Sequence, residues 1–118
     1  MTPIADLAMR TMEATLAGLQ QRIDVRSHNV ANSSTPWFRA QQVEFESLLS
    51  DALERGTEPG AVEAGISAAP NLPNGQGNTV DLGTDMVGMI KDNLAYDTAV
   101  NVFNYKAGIL TTALRGQA

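Results

Sequence analysis

Apolar side chains recur at alternating steps of three and four residues at both ends of this 118-residue chain. This spacing keeps one face of an α-helix apolar and is typical of helices that pack side by side. We therefore predict two long helices, from about Ile4 to Asn32 and from about Thr84 to Arg115. Arg26 breaks the first stripe, and Asn93 interrupts the second. The first stripe consists of Met9, Met12, Leu16, Leu19, Ile23 and Val30, and the second of Leu82, Met86, Met89, Tyr96, Val100, Phe103, Ala107, Leu110 and Leu114.

Helices of this length span roughly 40–45 Å each, at 1.5 Å per residue. The predicted fold is all-α: an antiparallel, coiled-coil-like hairpin of the two terminal helices. Such a hairpin leaves one side of each stripe in water, so other chains must supply further helices. We therefore predict that the two stripes form an assembly interface. A second apolar strip beside the C-terminal stripe strengthens this expectation; it consists of Val87, Ile90, Leu94, Val102 and Ile109.

The middle of the chain has a different composition. Between Gly56 and Asn78 lie five glycines and three prolines, which break regular backbone structure. We predict a flexible, partly disordered loop there. The predicted organisation has an N-terminal assembly helix at 1–34, a turn with a short amphipathic segment at 35–55, the flexible loop at 56–80, and a C-terminal assembly helix at 81–118. Within the second part, a short helix is expected from about Phe45.

Charge and composition exclude several classes of function. The net charge is −5, and the middle residues 41–85 hold eight carboxylates against one arginine, so a basic nucleic-acid interface is not expected. The chain has no cysteine, which excludes disulfides and thiolate metal sites. Asp6 and Arg10 interrupt the first apolar residues, so we expect no cleaved signal peptide. No apolar run approaches the roughly 18 residues of a membrane span.

Catalytic and metal-binding patterns are also missing from the sequence. The single histidine, His28, lies near Asp24 and Ser27 on one helix, where adjacent residues diverge by about 100° and cannot form a catalytic triad. The polar, glycine-rich stretch before the last helix lacks the spacing of a calcium loop, and no lysine completes a phosphate loop. The sequence therefore predicts no enzyme, no cofactor, no metal and no small-molecule substrate.

One run of residues at the end of the first helix is specific. It reads Ser27-His28-Asn29-Val30-Ala31-Asn32-Ser33-Ser34-Thr35-Pro36-Trp37-Phe38-Arg39-Ala40. It resembles the signature of the bacterial flagellar rod family, with Asn29, Ala31, Asn32, Thr35, Pro36, Trp37, Phe38 and Arg39 at the motif positions. Two further elements are similar to the same family, namely Gly77-Asn78-Thr79-Val80-Asp81 and Asn93-Leu94-Ala95-Tyr96.

The resemblance implies a structural subunit of the flagellar basal-body rod in the periplasm or cell envelope. Such a subunit transmits torque between the membrane ring and the hook. Its implied partners are copies of itself, other rod subunits, ring or adaptor proteins of the basal body, and the flagellar type III export apparatus. The short length and Gly77-Asn78-Thr79 favour the proximal rod type over its neighbour in the rod, which shares the motif. A helical adaptor or secretion chaperone remains an alternative, since it would share the acidic pI and the paired helices.

The chain departs from the family at one motif position. Trp37 stands where the family has glycine, and glycine there would permit the positive φ of a type II turn. Two interpretations of Trp37 and Phe38 stay open. They either complete a small local core with residues 45–53 or dock on an adjacent subunit, where a tryptophan would act as an anchor.

Overall fold

The computed structural model describes residues 3–116 of the chain, and the side chains of residues 7–116. The molecule is elongated, with principal extents of 67 × 27 × 13 Å. Its elements are α1 (Pro3–Ala31), β1 (Gln41–Glu44), α2 (Glu46–Glu54), a 3₁₀ helix (Pro59–Ala61), β2 (Gly65–Ala68) and α3 (Leu82–Gly116). The two long helices and the short amphipathic helix therefore lie where the periodicity predicts them.

The hairpin of α1 and α3 is antiparallel, as predicted. Arg22 of α1 contacts Asp92 of α3, and Arg26, one turn later, contacts Asp85. Residue numbers thus rise along α1 while they fall along α3. Within residues 3–116, no helix combines the length and the apolarity that crossing a membrane requires.

The all-α prediction is wrong in one respect, because the structure contains a two-stranded antiparallel sheet. β1 pairs with β2 so that Gln41 faces Ala68 and Glu44 faces Gly65. Each strand has four residues, too few for an alternating apolar pattern to stand out in the sequence. β2 and the 3₁₀ helix both lie in the segment predicted to be a flexible loop; its flexibility stays a prediction.

The apolar core is small and lies where β1 meets the middle of α1. Leu19, Val43 and Phe45 form its buried centre, and partly buried Val25, Ala64 and Tyr96 pack against it. Gly18 makes this packing possible, because a Cβ at that position would lie 2.4 Å from the Phe45 ring. Because so few large apolar side chains are buried, we expect polar contacts to contribute much of the stability of the hairpin.

Candidate assembly surface

A cluster of charged side chains joins α1 to α3 near the core. Arg22 bonds both oxygens of Asp92 and also reaches Glu46, with Nη2–Oδ1 and Nη1–Oε1 distances of 2.9 Å. Arg26 contacts Asp92 at 3.0 Å and Asp85 at 3.2 Å. Burial lowers the pKa of Arg22, but the hydrogen bonds and charges of Asp92 and Glu46 outweigh it, so the net pKa is raised. Arg22 therefore carries its positive charge near neutral pH.

Gly88 leaves space for the Arg26 side chain in this cluster because glycine has no Cβ. A Cβ on Gly88 would lie 2.3 Å from the guanidinium carbon of Arg26. The position at which Arg26 breaks the predicted apolar stripe is thus an ion pair between the two helices. Since removal of one partner of a buried pair leaves an uncompensated charge, the cluster disfavours other registers of α1 against α3.

The first asparagine of the sequence motif is buried and holds β1. Asn29 is 1% exposed. Its side-chain amide donates to the Gln41 carbonyl at 2.8 Å, and its carbonyl accepts from the Gln41 backbone N–H at 3.1 Å. The same amide donates to Asp85 at 3.2 Å, which ties the motif to the ion cluster.

A second buried asparagine, Asn78, holds the end of α1 from the other side. Its amide donates to the carbonyls of Asn32 at 2.9 Å and Thr35 at 2.8 Å. Its side-chain carbonyl accepts from the Val80 N–H at 2.7 Å. The two buried asparagines, Asn29 and Asn78, are called the asparagine clasp below, because together they fasten the exit of α1 to the entry of α3.

The Pro36–Trp37 turn keeps the geometry that a glycine would permit. The Phe38 N–H donates to the Thr35 carbonyl at 3.3 Å, and Trp37 has a φ of 63°. A proline followed by a residue with positive φ is the arrangement of a type II turn. The Trp37 N–H also donates to the Gln76 carbonyl at 3.0 Å.

The Trp37 ring lies against a glycine that makes room for it. A Cβ on Gly77, which itself has a φ of +74°, would lie 2.2 Å from the ring. Phe38 instead meets His28 edge-on, with 5.6 Å between ring centroids. The core around Phe45 includes neither aromatic. The local-core interpretation is therefore wrong, while Trp37 remains 79% exposed.

The side of α3 that faces α1 differs from the predicted stripe at some positions and coincides with it at others. Asp85, Gly88, Asp92 and Ala99 are its buried residues. Met86 and Leu114, two members of the predicted stripe, are exposed. The prediction missed these positions because it followed apolar residues only, whereas Asp85 and Asp92 lie on the buried side.

The opposite side of α3 carries a continuous uncharged strip. Its large side chains are exposed although they are apolar or aromatic, and Thr98 and Asn101 fill the gap between Leu94 and Tyr105. Helical spacing of three and four places them on one face. The outer strip of α3, as we name it, consists of Val87, Ile90, Leu94, Tyr105 and Ile109. The sequence had indicated four of these; Tyr105 was missed because its neighbours in that pattern are polar.

The α3 helix begins at a charged cap. Asp81 precedes Leu82, and its side chain accepts from the Thr84 backbone N–H at 3.1 Å. This bond, followed by one with the Thr84 side chain, lowers the pKa of the Asp81 carboxyl. Among the described residues, no group of three histidines, aspartates or glutamates is arranged to hold a metal ion.

Known proteins similar to this chain match it over most of its length. No family model matches the chain. The chain is 29% identical to the flagellar basal body rod protein FlgB of Aeromonas hydrophila, over 95% of this chain and 96% of that protein. It is 28% identical to FlgB of Yersinia enterocolitica, over 82% and 85% of the two chains, and 24% identical to FlgB of Salmonella typhimurium, over 94% and 95%. The chain is therefore similar to FlgB flagellar rod proteins over most of its length. The family resemblance is confirmed, and the neighbouring rod protein FlgC is not favoured.

The rod-family motif lies partly inside the hairpin, although most of its residues are on the surface. Asn29 is buried, Asn32 and Phe38 are half-buried, and the remaining motif residues are exposed. The buried asparagines act within the chain, so the motif specifies how the hairpin closes. Ala31, Thr35, Pro36, Trp37 and Arg39 are the exposed members.

The predicted interface residues fall into three groups by exposure. Leu19 is buried, and Leu82, Met86 and Leu114 are exposed. The others are half-buried: Met9, Met12, Leu16, Ile23, Val30, Met89, Tyr96, Val100, Phe103, Ala107 and Leu110. Their contact with neighbouring subunits stays a prediction.

Proposed function

We propose that this chain is a structural subunit of the flagellar basal-body rod, of the proximal FlgB type, which assembles through its terminal helices and transmits torque between the membrane ring and the hook. The observation that carries the proposal is the outer strip of α3. FlgB relatives that match the chain over most of its length support the placement in the rod.

The outer strip needs cover that a single chain does not supply. α3 has 35 residues and is therefore roughly 52 Å long. Soluble monomers rarely expose contiguous apolar patches larger than a few hundred Å². Burial of apolar surface is favourable by about 25 cal/mol per Å². Contact with helices of other subunits would therefore stabilise both the strip and the assembly.

The clasp end of the hairpin is held by many polar contacts, which is expected of a subunit that transmits torque. Asn29, Asn78 and the arginine–aspartate cluster fix α1 against α3 at several points. Satisfied buried polar networks favour one arrangement over alternatives. A hairpin held in this way passes force along its helices without a change of register.

The remaining parts of the proposal follow from this role. The chain acts without catalysis and without a cofactor, in the basal body. Its partners are its own copies, other rod subunits and the ring or adaptor proteins beside them. It reaches that place through the flagellar type III export apparatus. No nucleic acid and no small-molecule substrate take part.

Complementation tests the proposal. The chain is expressed in bacteria that lack their own FlgB, and basal bodies are isolated and inspected for rods by electron microscopy. We expect rods with the unaltered chain and with Asn104→Asp, which adds the same charge at an exposed position outside the strip. Ile90→Asp should prevent rod formation while secretion into the medium continues. Rods that form normally with Ile90→Asp would remove the strip from the proposal, and a discrete dimer of the purified chain would favour the chaperone alternative.

A further inference from the structure

A groove runs between the N-terminal half of α1 and the 3₁₀ helix. Its volume is about 500 Å³, within the range of protein pockets that enclose a ligand. Ala14, Ala17 and Leu49 contribute apolar surface to it, and Glu13 and Glu63 contribute carboxylates. The groove thus offers an apolar interior with an acidic edge.

The charges around the groove are unbalanced. Glu58 also lines it, and this carboxylate contacts Arg10 at 3.0 Å. Glu13 and Glu63 form no ion pair within the described residues. A partner that placed a cation beside them would therefore gain charge complementarity.

The C-terminal half of α3 has the opposite character. Between Thr98 and Gly116 it contains Lys106 and Arg115 and no carboxylate. In the part of the chain that the structure describes, neither cation meets a carboxylate, although all three arginines of α1 do. Tyr105 and Ile109 flank Lys106 on the exposed side, and Tyr105 is 71% exposed.

We propose that the C-terminal half of α3 docks in this groove on a second copy of the chain, with Tyr105 and Ile109 inserted and Lys106 facing Glu13 and Glu63. Tyr105 and Ile109 are four residues apart, so they project from the same face of the helix and can enter one groove together. The groove admits a few side chains rather than a whole helix, which agrees with two inserted residues. The inference rests on the proposed function, because it names the surfaces through which copies meet.

The two surfaces are different parts of the chain, and this determines the type of assembly. α3 contributes nothing to the lining of the groove in its own chain. Each copy therefore offers one α3 end and one groove. When two copies do not dock reciprocally on each other, contacts between unlike surfaces produce rings or open helical filaments, as a rod requires.

Cysteine cross-linking tests the contact without background, because the chain has no cysteine of its own. A Lys106→Cys chain is mixed under oxidising conditions with a Glu63→Cys chain that carries a mass tag. The matched controls are Lys91→Cys, earlier on α3, and Glu54→Cys, an exposed acid of α2 that does not line the groove. We expect the mixed covalent pair from Lys106→Cys with Glu63→Cys, and its loss when either control replaces its counterpart.

Charge reversal gives a second readout of the same contact. Lys106→Glu and Glu63→Lys should each weaken self-association in sedimentation velocity by about fivefold, the equivalent of an ion pair worth roughly 1 kcal/mol. The two substitutions in one chain should restore it. Equal cross-linking in the controls, no cross-linking, or no effect of charge reversal would overturn the contact. In that event, rods that form in the complementation test would still support the proposed function. Conversely, a specific cross-link without rods would contradict the proposed function and support the contact.

Discussion

The two ends of the hairpin differ in whether their side chains find partners within the chain. At the clasp end, asparagines and charged pairs lie inside and find their partners within the chain. In the C-terminal half of α3, large side chains such as Tyr105 and Leu114 lie in water, and Lys106 and Arg115 lack counter-charges among the described residues. The comparison teaches that one end is complete in a single chain, while the other depends on its neighbours.

The largest expected effect comes from introducing an aspartate at a buried position, compared with the same change at an exposed position. Leu19 is 4% exposed in the core, and Leu94 is 61% exposed on the outer strip. Leu19→Asp should destabilise the chain by roughly 4 kcal/mol or more, since it buries an unpaired carboxylate and leaves a cavity. Leu94→Asp should leave the thermal melt of the free chain nearly unchanged and impair only assembly. Similar melting curves for the two variants would contradict the division between inside and outside.

Loss of a clasp side chain should have the next largest effect. Asn78→Ala removes the donor to two carbonyls and the acceptor of a third bond. Unsatisfied buried groups cost about 1–3 kcal/mol each, so we expect roughly 3 kcal/mol of destabilisation in urea titrations. Asn104→Ala, at an exposed position of α3, is the control and should cost less than about 0.5 kcal/mol. Equal effects would mean that the clasp does not hold the hairpin.

Two glycines of α3 sharpen the comparison because the same change should act in opposite directions. Gly88→Ala pushes Arg26 out of the ion cluster and should destabilise the chain by roughly 1–2 kcal/mol. A Cβ at Gly108 meets nothing within 4 Å, so Gly108→Ala should stabilise the helix by up to about 1 kcal/mol. Chemical denaturation measures both. A gain in stability for Gly88→Ala would show that the Arg26 contact is dispensable.

The sequence predicted the hairpin well and its inner details poorly. The periodicity located α1 and α3 because their apolar residues are many and regular. It could not locate β1 and β2, which are short and stabilise each other. It also did not predict that Arg26 packs against Gly88, because the two are far apart in sequence. Nor did it predict that Asp92, rather than Asn93, lies on the buried side of α3. The family motif marked Asn29 and Asn78, but no pattern in the sequence predicted that they are buried.

Trp37→Gly should have the smallest effect on stability. Glycine relieves the positive φ of this residue, which costs a side chain roughly 1–2 kcal/mol, but it also removes the ring from Gly77. The two terms oppose each other, so the melting temperature of the free chain should shift little. Circular dichroism measures the melt, and Trp37→Ala, which loses the ring but keeps the strained turn, is the control. A clear destabilisation by Trp37→Gly would show that the ring contributes more than the turn costs.

Hydrogen exchange followed by mass spectrometry tests the central claim most directly, in the free chain and in its assembled form. We predict that amides around the clasp, at 22–32 and 82–92, are equally protected in both states. Amides at 98–116 should be weakly protected in the free chain and gain protection on assembly, because local opening follows the lack of packed neighbours. Equal protection of 98–116 in the two states, or a gain confined to the clasp, would contradict the claim. The claim is that the clasp end is complete in one chain, whereas the C-terminal half of α3 depends on neighbouring subunits.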